Sequence, residues 1–427
     1  MFPRKLYVET TTRCNMQCGM CVKHVPGSSI SNKHLDFELY RRIMPGLPHL
    51  EALVLNGIGE PLLHPDLVRM VELARSAMPP ESWIGFQTNG LLLTADITER
   101  LLAAGLNRLC ISVDGPASDI PCCGSLIHRH DHAPLSPVEL VRDVRGKNGH
   151  SNFQLGAEIV LLKETIAQLP VLVAQLADKG VDFILVSHLL AYQSEAEQQS
   201  LFNSRTAESW RIYQKWQDIA AKEGLSITDL TAKTWIAARN PEEHRLQQLY
   251  REMLAEAGSQ GIWLHARKLE EWDLPEMEKL AGYLEEAQAV AARNGVDISL
   301  PPLSATTERA CRFMEQQALF VDVEGDVMPC HPLWHSHTIH MDSEPKHLTR
   351  RVFGSIIDQD ILAIWQSADY REFRQAVLNY DYPFCHSCSL GPCPDITGET
   401  TPFINDCFGT AVPCGHCLWC FDSIRCL

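Results

Sequence analysis

Apolar residues in the first 190 positions follow two alternating rhythms. Short runs rich in aliphatic residues recur at Lys5–Thr10, Leu50–Leu55, Trp83–Thr88, Leu109–Val113, Gln154–Leu161 and Phe183–Val186. Between them, Asp36–Met44, Asp66–Met78, Thr94–Ala104, Pro137–Val144 and Ile166–Lys179 read as helices. Gly105 and Gly180 stand where two of these helices should stop. Strands this far apart cannot form hairpins, so the pattern predicts a parallel sheet with helices outside it. Six such units predict an α/β fold over residues 1–190: a partial (β/α)6 TIM-like barrel with its chemistry at the strand C-terminal ends.

From 191 to 276 the pattern turns to Glu, Gln, Ala, Lys and Leu without strand alternation. This predicts a helical insertion of two to four helices, punctuated at Asn240-Pro241 and Asp273-Leu274-Pro275. Within 277–302, Met277–Asn294 reads as the last barrel helix, ended by Gly295, and Val296–Pro302 as a linker leading out. Residues 303–427 are loop-rich and hold ten of the chain's 16 cysteines. Such a segment needs metal to hold it together, so a cysteine-rich C-terminal iron–sulfur domain is expected.

Composition narrows the class. At 427 residues the chain exceeds one ordinary core. A net charge of -16 argues against a nucleic-acid partner, since neutralising phosphates takes clustered Lys and Arg. No apolar run approaches the roughly 18 residues that cross a bilayer, so no membrane partner is expected. The opening MFPRKLYVET reads as strand rather than as a secretory signal, and a cytoplasmic location is expected. In that compartment clustered cysteines mean zinc or iron–sulfur rather than disulfides.

The segment TTRCNMQCGMC sets Cys14, Cys18 and Cys21 directly after the first strand. Three thiolates on one loop can hold three corners of a four-iron cube and leave one iron for a non-protein ligand. Spacing alone leaves a zinc loop open, with His24 as the nearby fourth donor. Further motifs fall at successive strand ends: Gly57-Ile58-Gly59-Glu60-Pro61, then Thr88-Asn89-Gly90, then Ser112-Val113-Asp114-Gly115. Each alone is an ordinary turn sequence.

Together, in this order, they resemble the radical SAM (S-adenosylmethionine) superfamily. The resemblance implies a [4Fe-4S] cluster on Cys14, Cys18 and Cys21 whose open iron chelates SAM. It implies that Gly57, Gly59, Glu60 and Pro61 hold the SAM amino group, through Glu60 or nearby carbonyls. Thr88, Asn89, Ser112 and Asp114 are implied to reach the ribose and carboxylate. Met20 replaces the aromatic residue often found beside the adenine; its polarisable thioether suits the role. The fifth strand, in GAEIVLLKE, offers no assignable adenine contact. The implied chemistry is reductive cleavage of SAM to a 5′-deoxyadenosyl radical, supplied by a low-potential flavodoxin- or ferredoxin-type donor.

Farther along, ALFVDVEGDVMPC reads as a hairpin with a Glu-Gly-Asp turn. Cys311, Gly325 and Cys330 around it resemble the start of the SPASM extension, which commonly carries two auxiliary [4Fe-4S] clusters. By that resemblance Cys311 and Cys330 begin auxiliary cluster I, to which Cys407 is expected to return. Cys385, Cys388 and Cys393 begin auxiliary cluster II, completed from Cys414, Cys417 and Cys420; a zinc site on these last three stays open. Ten cysteines exceed the eight that two clusters need, so Cys426 is expected to be a further ligand, to shield a cluster or to work on substrate.

Other residues carry weaker readings. His331, beside Cys330, is expected either to take a proton from a substrate radical or to support the cluster. His335, His337 and His340 are expected to be solvated, Cys110 to be core, and Trp419 to pack around a cluster. Cys122-Cys123 with His128, His130 and His132 reads as a surface loop. The crowded tail DCFG…CGHCLWC…RC is similar to maturases associated with tungsten-dependent aldehyde oxidoreductases. Expected substrates are a peptide, a protein or a cofactor precursor. The alternatives are a dehydrogenase or epimerase of a small sugar or natural product, and an electron-transfer or zinc protein without SAM chemistry.

Overall fold

A computed structural model describes residues 2–113, 135–148, 152–228, 238–262, 264, 266–306, 310–379 and 417–427. Six parallel strands lie side by side in sequence order: β1 (Lys5–Val8), β2 (Ala52–Val54), β3 (Trp83–Thr88), β4 (Arg108–Ser112), β5 (Gln154–Leu161) and β6 (Phe183–His188). Helices α1 (Leu67–Ala77), α2 (Ala95–Ala103), α3 (Ser136–Asn148) and α4 (Leu169–Asp178) alternate with them. Capping sets their ends. Thr94 accepts the Ile97 amide at the start of α2, and Gly105 and Gly180 take positive φ just past α2 and α4.

The sheet curves, because side chains from non-adjacent strands meet inside it. The Lys5 ammonium lies 5.5 Å from the Trp83 ring centre, and the Arg108 guanidinium 4.4 Å from the same ring. Gly156 makes room for the neighbouring Phe183: a Cβ there would be 2.2 Å from the phenyl ring. Cys110 is fully buried in this core, and burial lifts its thiol well above its ordinary pKa.

The longer helices that follow are α5 (Ala207–Lys222), α6 (Pro241–Ser259) and α7 (Leu274–Asn294), with strands β7 (Asn203–Thr206), β8 (Asp297–Ser299) and β9 (Ser304–Ala305) among them. After them come β10 (Ala318–Val321), β11 (Asp326–Met328), β12 (His337–Met341), β13 (Glu344–Leu348) and β14 (Gly354–Ser355). Asn240 and Asp273 cap α6 and α7, each with proline in the first turn, and Gly295 at φ 68° ends α7. Helices α5 and α6 share a second apolar cluster around Ile212, Tyr213, Leu249 and Met253.

Three departures from the sequence reading concern strands. β7 lies where only helices were expected, and pairs with β9. Val296–Pro302 does not simply lead outward: it contains β8, which pairs parallel with β6. The hairpin β10–β11 forms with Gly325 at φ 83°, but β10 also pairs parallel with β1 along its whole length. The result is one ten-stranded sheet ordered β14-β11-β10-β1-β2-β3-β4-β5-β6-β8, with β14 and β8 at its edges. The cysteine-bearing extension is thereby joined to the barrel by backbone hydrogen bonds.

Two glycines should respond oppositely to alanine. Gly156→Ala overpacks the interior against Phe183 and is expected to cost about 1–3 kcal/mol. Gly282 is exposed within α7 with nothing near its missing Cβ, so Gly282→Ala should stabilise by about 0.5–1 kcal/mol. Thermal melts of the two variants beside the wild type check both signs.

Candidate active site

The cysteine loop leaves β1 through three buried threonines and returns beside them. Thr12 Oγ1 donates to Ser31 O at 2.5 Å and accepts the Lys33 amide at 2.8 Å, while the Leu35 amide donates to Thr10 O at 2.9 Å. Lys23 donates to Thr12 O and to Asn32 Oδ1. The loop is therefore fixed at its base while Cys14, Cys18 and Cys21 stand half-buried above it.

Burial pushes the Cys14 and Cys21 thiols above their ordinary values, and charge on Cys14 raises Cys21 further. Backbone amides oppose this; that of Met16 points at Cys14 Sγ from 3.4 Å. Such thiols favour the thiolate only when a cation relieves them. A single zinc at about 2.3 Å from each sulfur would draw its ligands within about 4 Å of one another. Among the described residues, no three donors from Cys14, Cys18, Cys21 and His24 lie within 4.8 Å as a group. His24 is exposed. Three soft donors spaced beyond single-ion distances fit a multi-iron cube.

The glycine-rich segment after β2 is fastened to this loop. The Gly59 amide donates to Thr11 O at 3.1 Å and the Glu60 amide to Arg13 O at 2.7 Å. A Cβ on Gly59 would sit 2.4 Å from both the Thr11 and Arg13 carbonyl oxygens, so only glycine permits the approach. Glu60 is buried, and its carboxylate accepts from Thr88 Oγ1 at 2.8 Å, the Asn89 amide at 2.8 Å and the Leu62 amide at 3.0 Å. Burial raises its pKa, and these donors pull it down. The carboxylate is thus engaged by the protein, starting the short 3-10 turn at Pro61. Asn89 Nδ2 donates to Asn15 Oδ1 at 2.8 Å, reaching into the cysteine loop. Ser112 is half-buried at the end of β4, and Asp114 lies outside the described residues.

Above the strand ends lies a cavity of about 320 Å³. Met20 and Cys21 line it from the cysteine loop, and Gly57 and Ile58 from the segment after β2. A polar chain crosses its floor. Asn56 Nδ2 donates to Gln87 Oε1 at 2.6 Å, and Gln87 Nε2 donates to the Glu158 carboxylate. The sequence reading missed all three, although each is a polar residue at the inward, C-terminal part of a parallel strand, where barrel chemistry gathers.

The opposite wall comes from beyond the barrel. Residues 423–427 run along β6 into the barrel mouth: the His188 amide donates to Ser423 O at 2.9 Å, and the Arg425 amide to Ser187 Oγ at 2.8 Å. Tyr7 Oη donates to Leu427 O at 2.8 Å. Cys426 therefore lines the barrel cavity, with Sγ 4.0 Å from His331 Nδ1. His331 sits among the Tyr7, Phe313, Phe320 and Trp334 rings; burial, with Lys5 nearby, pushes its pKa down to about 3. It is neutral at physiological pH. His188 is pushed down to about 4 by burial.

The expectation of solvated His335 and His337 is corrected. Both line the cavity, and His335 Nε2 lies 3.6 Å from the buried Glu9. His340 is half-buried, with its amide bonded to Ala191 O at 2.7 Å. A polar stretch reads as solvated until tertiary packing closes over it.

Cys311, Cys330 and Cys417 line a second, small apolar cavity with Phe313, Phe373 and Val377. Cys417 thus lies beside Cys311 and Cys330, while the expectation for Cys407 falls outside the described residues. Cys420 is buried nearby in sequence, its thiol directed at Cys417 O at 2.9 Å. Cys122, Cys123, His128, His130, His132, Cys385, Cys388, Cys393, Cys407 and Cys414 lie outside the described residues, as does the Trp419 side chain.

Comparison with known proteins agrees with this arrangement. Residues 8–182 match the Radical SAM superfamily, and residues 311–389 match SPASM, an iron-sulfur cluster-binding domain. Over 99% of this chain and 96% of the relative, the sequence is 26% identical to the tungsten-containing aldehyde ferredoxin oxidoreductase cofactor-modifying protein of Pyrococcus furiosus. It is 35% identical to the AdoMet-dependent heme synthase of Methanosarcina barkeri, over 26% of this chain and 32% of that one. Among solved structures, Streptococcus suis SuiB bound to S-adenosylmethionine superposes with a TM-score of 0.50 at 11% identity, covering 91% of this chain and 69% of that one. That likeness concerns the fold. The cofactors are accordingly a [4Fe-4S] cluster, SAM and auxiliary iron–sulfur clusters. The chain is an enzyme that carries a Radical SAM domain and a C-terminal SPASM iron–sulfur domain.

Proposed function

We propose that this enzyme is a maturase that oxidatively modifies a peptide, a protein or an enzyme cofactor. The observation that carries the reading is the shared cavity. Met20, Cys21 and Gly57 open into it from the cluster side, and Trp334, His335 and Cys426 from the extension. A ligand there touches the radical-generating end of the barrel and the segment leading to the auxiliary cysteines. The full-length likeness to a cofactor-modifying protein supports the same reading.

With its cluster and SAM bound, the centre supplies one-electron cleavage of SAM, giving an organic radical that removes hydrogen from unactivated carbon. Cys14, Cys18 and Cys21 would hold that cluster. The remaining tasks belong to this chain's own groups. The Gly57–Ile58 segment would hold the amino acid end of SAM, and Met20 with Leu189 and Leu190 would offer apolar surface to its adenosine. Asn56, Gln87 and Glu158 form the polar floor that orients ligand hydroxyls. The Tyr7, Phe320 and Trp334 rings, with the tail from Ser423, exclude water and oxygen. Functionally we divide the chain into radical generation (1–190), a helical insertion (191–276), the closing helix and linker (277–302) and the auxiliary domain (303–427). A flavodoxin- or ferredoxin-type protein would supply the electron.

Cys14→Ala, Cys18→Ala and Cys21→Ala should each abolish formation of 5′-deoxyadenosine from SAM under dithionite; persistence of cleavage would remove the basis of the reading. Anaerobic reconstitution should yield about 12 irons per chain, three four-iron clusters, whereas about four irons with stoichiometric zinc would exclude the auxiliary clusters. The cavity assignments give a sharper contrast. Cys417→Ala is expected to lower iron by about four per chain, while Cys426→Ala leaves iron unchanged.

A further inference from the structure

Glu9 is fully buried just past β1. Its Oε1 accepts the Ile58 amide at 3.1 Å, while Oε2 has no hydrogen-bond partner among the described residues. A carboxylate oxygen left bare inside a protein is costly unless a cationic or proton-bearing group meets it. The group opposite is His335, whose Nε2 lies 3.6 Å from Glu9 Oε2 and is likewise buried without a hydrogen bond. The same imidazole belongs to the wall of the barrel cavity, across from Met20 and Cys21. Gly57 lies against the Glu9 stem: a Cβ there would sit 2.3 Å from Glu9 Cγ. The carboxylate is therefore held between the glycine-rich backbone and the imidazole.

We propose that Glu9 and His335 form a proton-accepting pair for the barrel cavity, serving a ligand whose reacting carbon carries an O–H or N–H. Glu9 is the positioning residue and His335 the base. With Nε2–H turned to Glu9, Nδ1 is the nitrogen left to accept a proton. In the step, the ligand's O–H or N–H bond breaks, and its electron pair stays on the heteroatom. The proton bonds to Nδ1, and the Glu9 carboxylate balances the imidazolium charge. The pair rests on the proposed oxidative chemistry in one respect: oxidation at a carbon bearing O–H or N–H requires that this proton leave.

The surrounding charged groups do not substitute for Glu9. Asp322 and Glu324 face the pair from the β10–β11 turn, His337 from β12, His331 from the turn after Cys330, and Arg350 from beyond β13. Arg350 is bound by Asp322 and Asp326, and Glu324 by Lys33. These ions compensate one another and leave Glu9 as the carboxylate facing Nε2.

Diethyl pyrocarbonate attacks only neutral imidazole, so it reads the charge on His335 in the intact anaerobic enzyme. Each histidine is followed by peptide mass spectrometry at pH 6 and pH 8. Glu9→Gln keeps an acceptor for the Ile58 amide but removes the charge. It should speed His335 modification about three- to tenfold at pH 6 and less than about twofold at pH 8. Glu9→Asp, which keeps the charge, should stay near the wild-type rate. Equal His335 rates at pH 6 in the wild type and Glu9→Gln overturn the pair. Glu9→Ser serves the same comparison should the glutamine variant not fold. Formation of 5′-deoxyadenosine is measured in the same preparations. Its absence from the wild type strikes the proposed function and leaves the pair testable; its presence with unchanged His335 rates strikes the pair alone.

Discussion

The site depends on the fastening between the first two strand ends. Gly59 and Glu60 donate their amides to the carbonyls of Thr11 and Arg13, so the glycine-rich segment lies directly on the root of the cysteine loop. The Glu60 carboxylate then carries the connection to Thr88 and Asn89 at the end of β3. Three neighbouring parallel strands are thereby tied across their C-terminal ends by one buried acid. A buried carboxylate with three donors is rigid, because losing any one of them exposes an unpaired charge to a low dielectric. The cysteines inherit that rigidity: Cys14 is the residue directly after Arg13.

From this base, curvature does the rest. Lys5 and Arg108 meet over Trp83, closing the lower end of the interior, while Gly156 yields its space to Phe183. The upper end is left to polar groups at the ends of β2, β3 and β5. β10 extends the sheet beside β1, so the segment after Cys330 is delivered to the cavity by continuous backbone pairing rather than by docking of a separate body. Cys330 and His331 are consecutive, yet the first lines the apolar auxiliary cavity and the second the barrel cavity. The partition between the two sites is one residue thick there.

Much of the frame was legible in the sequence. β3 and β5 coincide with their expected spans, and Gly105, Gly180 and Gly295 all take the left-handed conformation that ends a helix. Those signals are local: periodicity, caps and backbone freedom. What the sequence hid is non-local. β8 is three residues long and has no alternation to reveal it. Nothing in ALFV distinguishes a strand of an isolated hairpin from one that also pairs with β1. Glu60 or nearby carbonyls were read by motif as contacts to SAM, and the motif does not reveal the bonds that Thr88, Asn89 and Leu62 donate to the Glu60 carboxylate. Glu158 went unassigned and His335 was expected to be solvated, because an acid inside a strand, or a histidine in a polar stretch, reads as solvent-facing until register and packing turn it inward.

The inserted tail has a consequence for variation and for handling. Ser423 and Arg425 are bonded to β6, and the Leu427 carbonyl to Tyr7 inside the barrel. Cys417 and Cys426 moreover serve different cavities across a fixed interval. Length changes among homologues should therefore fall in the helical insertion rather than in residues 417–427. In handling, a proteolytic cut between Cys417 and Cys426 would detach the wall of one cavity and leave the other lined.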